Sequence, residues 1–272
     1  VEHDPFTDYL TAGINRLSIG VQSFNTEHLT KLGRIHSNAD AISAIGLARD
    51  AGFKHINVDL MHGLPEQTVE QALSDLKLAV QQGATHISWY QLTIEPNTVF
   101  FRTQPVLPLD DVLEQIQAEG EAYLTAQGYV NYEVSAWRKE LPSTHNLNYW
   151  QFGDYLAIGA GAHGKVTRPD GIYRFQKTRL PKDYLAKVPA EHAQMKAIAA
   201  EELPFEFMMN ALRLNEGVDA KLYNERTGLN LNDLDDILKP LREKKLLSAA
   251  PDRIACTPQG HVFLNSVLQE FL

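Results

Sequence analysis

Three short stretches share a pattern that few folds satisfy: Arg16 to Phe24, His55 to Met61 and His86 to Ile94. In the first, Leu17, Ile19 and Val21 fall on one face and Arg16, Ser18, Gly20 and Gln22 on the other. In the second, Ile56, Val58 and Leu60 oppose Asn57 and Asp59. Helical patterns fill the gaps, and strand–helix–strand order at this spacing predicts right-handed βαβ units in a parallel sheet. A flat doubly wound sheet buries both strand faces and reads as nearly continuous Val, Ile and Leu. Alternation instead suits a barrel wall packed on helices outside and on a ligand inside, with function at the C-terminal strand ends, where Gln22, Asp59 and His62 fall. Three such units cannot close a barrel, so earlier strands are expected to lie upstream of the abrupt start V-E-H-D-P-F, which has no secretory leader.

The helices carry their own signals. Phe6, Tyr9 and Leu10 share a face before Gly13, Thr26 to Leu32 is a short helix, and Asn38 is the expected cap of another that Gly52 ends. Thr68 and Gln71 form a capping box for a helix carrying Val69, Leu73, Leu76 and Val80. Pro108 to Ala126 is a long helix, acidic in its first turn. Stretches Tyr132 to Trp137 and Leu156 to Gly161 are expected to extend the sheet, and Ile172 to Lys177 to form an exposed strand. Residues 186–202 read as a connector. From Leu203 onward, helices near 204–215, 219–227 and 231–244, a polar hairpin over Leu246 to Cys256, and a last helix capped by Thr257 with Pro258 at its first position give a winged-helix order.

Charge narrows the partners. The net charge is −9, and residues 200–272 hold 8 Lys/Arg against 12 Asp/Glu, with Asp233, Asp235 and Asp236 opening the would-be recognition helix. Phosphates would be repelled, so a packing or protein-interaction role is favoured over nucleic acid. No apolar run reaches the length of a membrane span. Cys256 is the single cysteine, so this chain builds no disulfide and no cysteine-held zinc or iron–sulfur site, which suits a reducing, cytoplasmic setting.

The richest chemistry lies in H-N-L-N-Y-W-Q-F-G-D-Y-L-A-I-G-A-G-A-H-G, residues 145–164. Gly159, Gly161 and Gly164 spell G-x-G-x-x-G, but Pro169 and Gly171 preclude the helix that a dinucleotide pyrophosphate needs. A glycine-rich strand end against another ligand is the better reading. His145, Tyr149 and Trp150 could offer an axial ligand and stacking surfaces to a planar cofactor, or be ordinary surface groups. Asp59 points into the lumen, where it either receives a donor such as a ribose hydroxyl or pairs internally with Arg16 or Arg34.

Together, G-I-N-R-L-S-I-G-V-Q-S-F (13–24), L-G-R-I-H (32–36), N-V-D-L-M-H-G-L-P (57–65), S-W-Y-Q-L-T-I-E-P-N-T (88–98), H-N-L-N-Y-W (145–150) and A-I-G-A-G-A-H-G (157–164) resemble the HemW-type heme chaperones. These are radical S-adenosylmethionine proteins of the oxygen-independent coproporphyrinogen III oxidase-like group. The resemblance runs over essentially the whole chain. It implies an α/β fold, the C-terminal part of a partial (β/α)6 radical S-adenosylmethionine barrel with its sheet extension over residues 1–185, the connector, and a small winged-helix-like α domain over 203–272. It implies S-adenosylmethionine contacts at Gln22, Arg34, Asp59 and His163, and a heme site at His145, Tyr149 and Trp150. Implied cofactors are S-adenosylmethionine, heme and, in the full-length protein, a [4Fe–4S] cluster. Implied partners are heme and heme-accepting proteins such as respiratory enzymes, with indirect membrane association through them. The alternative is a coproporphyrinogen III oxidase, a radical oxidative decarboxylase of porphyrin synthesis. The family's C-x-x-x-C-x-x-C and G-G-G-T-P motifs are missing from this sequence, so this polypeptide is expected to hold no metal cluster and to carry no catalytic residue.

Overall fold

The computed structural model describes residues 6–187 and 193–272 and divides into two units, Val1–Leu141 and Pro142–Leu272. In the first, α1 (Phe6–Thr11) leads through Gly13, at positive φ, into β1 (Arg16–Gln22). Then come α2 (Thr26–Lys31), α3 (Asn38–Asp50), β2 (His55–His62), α4 (Val69–Gln81) and β3 (His86–Gln91). The unit ends with α5 (Val99–Thr103), α6 (Asp110–Ala126) and a hairpin of β4 (Val130–Glu133) and β5 (Ala136–Arg138). The sheet runs β1-β2-β3-β5-β4, parallel across the first three strands and antiparallel thereafter. It is mixed and open. The expected strand over Tyr132 to Trp137 is thus two strands reversing at Val134 and Ser135.

The alternation seen in the sequence becomes two faces. Ile56, Val58, Leu60 and Ile87 are buried against Ala41, Ile45 and Ala48 of α3, Leu76 and Ala79 of α4, and Ile116 and Leu124 of α6. Burying such side chains gives about 1.5–3 kcal/mol apiece, which fixes the register, since a one-residue slip would turn them to the polar side. Trp89 is accommodated by Gly120 in the middle of α6, where a Cβ would lie 2.0 Å from the indole. A mid-helix glycine costs about 1 kcal/mol; here it admits a ring that alanine would exclude.

One sequence expectation needs correcting here: Ser37, not Asn38, caps α3, in a reciprocal box with Asp40. On α4 the expected Val69 and Leu76 are buried and Leu73 and Val80 pack half-buried against the same core, while Ala72, Ala79 and the carboxylate of Asp75 complete the buried stripe.

The second unit opens with α7 (Thr144–Trp150), then an antiparallel sheet of β6 (His163–Arg168), β7 (Gly171–Lys177) and, after α8 (Pro181–Ala186), β8 (Ala193–Ala197), in the order β6-β7-β8. Leu156 to Gly161 forms no strand: Tyr155 makes a single bridge to Lys165, and Gly159 and Gly161 turn to positive φ. β7 is central in its sheet, and its Arg174 is half-buried in an ion pair with Glu206, which corrects the expectation of an exposed strand. Of the connector expected over 186–202, residues 188–192 lie outside the described residues and Ala193–Ala197 pairs as β8.

Most of the remaining chain is helical or turn. α9 (Leu203–Ala211), β9 (Val218–Asp219), α10 (Ala220–Thr227), a 3₁₀ turn (Leu231–Leu234), α11 (Asp235–Glu243), β10 (Arg253–Ile254), α12 (Pro258–Val262) and α13 (Leu264–Gln269) follow, with β9 and β10 antiparallel. Thr257 caps α12 as expected, but the last helix is interrupted at Phe263.

Candidate functional site

Two groups of residues carry the chemistry, one in each unit. On the polar face of β1, β2 and β3, Asn57 is buried; its Nδ2 donates to Ser18 Oγ (2.8 Å) and Asp59 Oδ1 (2.7 Å), and its Oδ1 accepts from Ser88 Oγ (3.1 Å). Ser18 donates to the other carboxylate oxygen of Asp59 at 3.0 Å. None of the ion pairs among the described residues includes Asp59, so the internal pair with Arg16 or Arg34 is not formed. Asp59 is held by the neutral donors Ser18 and Asn57, and each of its oxygens keeps a lone pair for another donor.

Gln22 ends β1 at φ 69°, and the Ser23 amide donates back to Val21 O at 2.9 Å. This is a γ-turn with positive φ, a rare and strained form. The register with β2 slips at the same place, pairing Gly20 with Asp59 and Gln22 with Leu60. Backbone strain of order 1–3 kcal/mol persists only where the surroundings enforce it, and it concentrates at ligand clamps. The Gln22 side chain folds back over Gly20, where a Cβ would come within 3.0 Å of its Nε2. Its Oε1 accepts from the Tyr90 hydroxyl at 2.8 Å.

Tyr90 is the meeting point of the site. Burial and then the Asp59 carboxylate push its pKa up, while the Gln22 bond and the Arg34 guanidinium act the other way. Gln22, Arg34 and Asp59 are therefore brought together around one phenol. Arg34 itself is exposed, anchored only through its amide to Leu29 O. His62 turns to the helix side: it is buried, its ring 4.3 Å from that of Trp89, and desolvation lowers its pKa to about 4. It ends its strand as expected but does not share the polar face of Asp59. Sequence reasoning missed Ser18, Asn57, Ser88 and Tyr90 as site residues, although all four follow the alternation that marked Asp59.

In the second unit, Ser143 caps α7, and His145 and Tyr149 stand one turn apart. The exposed His145 ring meets Tyr149 edge-on at 4.8 Å, and Tyr149 meets Tyr155 at 4.3 Å. Arg174 Nη1 donates to the Tyr155 hydroxyl at 3.1 Å, closing a ladder of three rings. Burial, with Tyr155 adding, raises the Tyr149 pKa. Trp150 has the Arg213 guanidinium 4.4 Å from its ring centre and a buried Nε1, so one ring face is already covered.

The turn after α7 is tightly determined. Phe152 is buried at φ 54°, a conformation costly for a bulky residue, and a Cβ at Gly153 would lie 2.1 Å from Asn148 Oδ1. Lys165, also buried, places its Nζ 4.2 Å from the Phe152 ring centre and 2.8 Å from Asp154 Oδ1. Thr167 donates to Asp154 through both its amide and its hydroxyl. Burial opposes the Asp154 charge, but these donors outweigh it and its pKa is lowered.

His163 opens β6 and is exposed, paired in register with Gln176. It belongs to the second unit, whereas Tyr90 belongs to the first. Gly164 lies inside β6, where a Cβ would meet the Phe175 ring at 2.2 Å, so the third glycine of G-x-G-x-x-G serves strand packing and opens no helix.

The donor sets can be tested against the implied groups. A carboxylate free of cations, an amide over a bare glycine and an exposed guanidinium suit a zwitterionic nucleoside such as S-adenosylmethionine. An exposed imidazole beside aromatic rings suits heme. A [4Fe–4S] cluster does not fit: Cys256 is buried with its pKa pushed up to about 12, and among the described residues no three His, Cys, Asp or Glu converge on a metal position.

The radical SAM superfamily model matches residues 5–79 and the HemN C-terminal domain model residues 198–263. The chain is 47% identical over its whole length to the heme chaperone HemW of Haemophilus influenzae, covering 71% of that protein. It is equally identical to the heme chaperone HemW of Escherichia coli, covering 72%, and 35% identical to that of Bacillus subtilis, covering 70%. Among solved structures it is similar to the Escherichia coli coproporphyrinogen III oxidase (HemN), a radical SAM enzyme, with TM-score 0.76 and 22% identity over 97% of this chain and 66% of that one. At that identity the likeness shows the fold alone, an α/β arrangement with a mixed, partly parallel sheet.

Proposed function

The chain belongs to the HemW heme-chaperone family of radical S-adenosylmethionine proteins, and on that premise we propose that it binds heme on the exposed face of α7 and passes it to acceptor proteins such as respiratory enzymes. The observation that carries this reading is the His145–Tyr149 ring pair, an exposed imidazole oriented by an aromatic neighbour one turn away. His145 would supply a nitrogen ligand to the heme iron. Tyr149 and Tyr155 hold the imidazole upright and offer apolar surface beside it, and Arg174 fixes Tyr155 from behind. An exposed ligand suits a carrier, because cargo held at the surface can be surrendered to a partner. Heme titration followed by the Soret band tests it: His145→Ala should weaken binding, and an unchanged spectrum and affinity would remove the assignment.

The polar face of β1, β2 and β3 is read as the S-adenosylmethionine site. Arg34 would hold the carboxylate, Asp59 a ribose hydroxyl and Gln22 the methionine or ribose edge. S-adenosylmethionine supplies radical chemistry only beside a reducing cluster, and among the described residues none fits one, so no catalytic residue is assigned. Its role here is as a bound ligand.

Under this reading residues 1–185 hold part of the (β/α)6 barrel and its sheet extension, and 203–272 a winged-helix-like domain used for protein contacts. Asp233 in the 3₁₀ turn and Asp235 and Asp236 opening α11 support a protein partner over nucleic acid. The single cysteine supports a cytoplasmic setting, with membrane contact only through respiratory acceptors. Among the described residues no helix is long and apolar enough to cross a membrane. The oxidase alternative has the shared fold behind it and no residue-level feature of its own.

A further inference from the structure

Asp75 lies in α4, outside both sites, and its side chain is buried. Its two oxygens accept from Ser23 Oγ (2.7 Å) and from the Phe24 amide (2.8 Å). Ser23 Oγ in turn accepts from the Asn25 amide at 3.0 Å, and Asn25 caps α2 through the amides of Glu27 and His28. The far end of α2 holds Arg34 through Leu29 O. One carboxylate therefore anchors the residue directly after the strained Gln22 and, through Ser23 and Asn25, the helix that leads to Arg34. On the other side of the turn, His36 Nε2 lies 3.0 Å from Val21 O. A buried carboxylate without a cation is expensive unless it is needed.

We infer that Asp75 is a positioning residue for the S-adenosylmethionine site, holding the γ-turn at Gln22 and the start of α2 so that Gln22 and Arg34 face the same ligand. The inference rests on the reading of Gln22 and Arg34 as ligand contacts. It differs from a purely structural role in one respect: its effect on the ligand must pass through Gln22 and Arg34.

The test is S-adenosylmethionine affinity by calorimetry on the intact protein, with Gln22→Ala, Asp75→Ala and the double variant. Asp75→Ala should weaken binding on the order of tenfold, as expected for losing a charge-assisted hydrogen bond. Added to Gln22→Ala, it should weaken binding by less than its effect alone, because part of its work is done through Gln22. Full additivity would overturn the inference. If Asp75→Ala does not fold, Asp75→Asn replaces it; this variant keeps an acceptor for Phe24 but not both original bonds. It should speed hydrogen exchange at the Phe24 and Asn25 amides, leave Val58 and Leu60 unchanged, and lower affinity. Unchanged exchange and affinity would again overturn it. If the wild-type protein does not bind the nucleoside, or Gln22→Ala binds normally, the site reading itself fails, a result distinct from additivity between two sensitive positions.

Discussion

The Tyr90 hydroxyl donates to Gln22 Oε1 at 2.8 Å across the intervening strand β2, tying the first and third strands of the parallel sheet together at their C-terminal ends. A side chain on a strained turn is thereby held from a neighbour two strands away, and its orientation does not depend on the turn alone.

Tyr90→Phe removes that donor and leaves the ring. Losing one neutral hydrogen bond should lower stability by about 1 kcal/mol. Gln22 should also lose its fixed orientation, so S-adenosylmethionine affinity should fall. Urea unfolding and calorimetry on the same variant check both; unchanged affinity would mean the turn positions Gln22 unaided.

Asp75 and His62 make opposite contributions to the pH dependence of stability. Burial raises the Asp75 pKa to about 6 from 3.8, so the folded state holds more protons than the unfolded chain between those values and stability from this group falls as pH rises through them. His62 is lowered to about 4 from 6.5, so its contribution is lost as pH falls through that window. Each is of order 3 kcal/mol, and they largely cancel. Asp75→Asn should therefore gain stability relative to wild type by roughly that amount between pH 4 and pH 7, measured by chemical denaturation at both ends. A gap between the two proteins that does not change with pH would contradict the assignment.

Gly153→Ala should be among the most damaging single-methyl additions in the second unit. The new Cβ would lie 2.1 Å from Asn148 Oδ1 and 2.7 Å from Asn148 O, so the end of α7 must move. A loss of about 1–3 kcal/mol is expected, as for overpacking a tight site. Heme affinity should fall with it, since Tyr149 and Tyr155 flank the turn. Thermal unfolding and heme titration together distinguish this from a local effect on His145.

His145→Ala and Trp150→Phe should separate ligand from support. The first should alter the Soret position and weaken heme binding while leaving stability within about 0.5 kcal/mol, as for an exposed residue. The second keeps a ring against Arg213 and should retain the wild-type Soret position. A Soret change in the Trp150 variant matching that of the His145 variant would argue for a platform role at both.

The polar face of the sheet was legible because the period of two is a local property: once Val58 and Leu60 are known to be buried, Asp59 must point away from them. Asp75 was not legible, because an acidic residue in an amphipathic helix ordinarily marks the solvent side and only the Ser23–Phe24 turn makes burial tolerable. His62 follows the same period as Leu60, so the alternation that revealed Asp59 also places His62 on the helix side. Leu156 to Gly161 alternates like a strand, but two of its small positions are glycines whose positive φ ends the extension. The H-N-L-N-Y-W stretch showed where aromatic chemistry gathers. That Tyr155 completes the ladder and that Arg213 covers Trp150 depend on residues distant in sequence.

Asn57 gives the polar face a property of its own. With its amide bonded to Ser18, Asp59 and Ser88, it locks three strands and one carboxylate into a single arrangement before any ligand arrives. A hydroxyl pair landing on Asp59 meets an acceptor that needs no reorientation, so discrimination at this position falls to the ligand: rigid vicinal diols should be favoured over flexible ones, and a deoxyribose analogue should be penalised in enthalpy with little compensating gain in protein disorder.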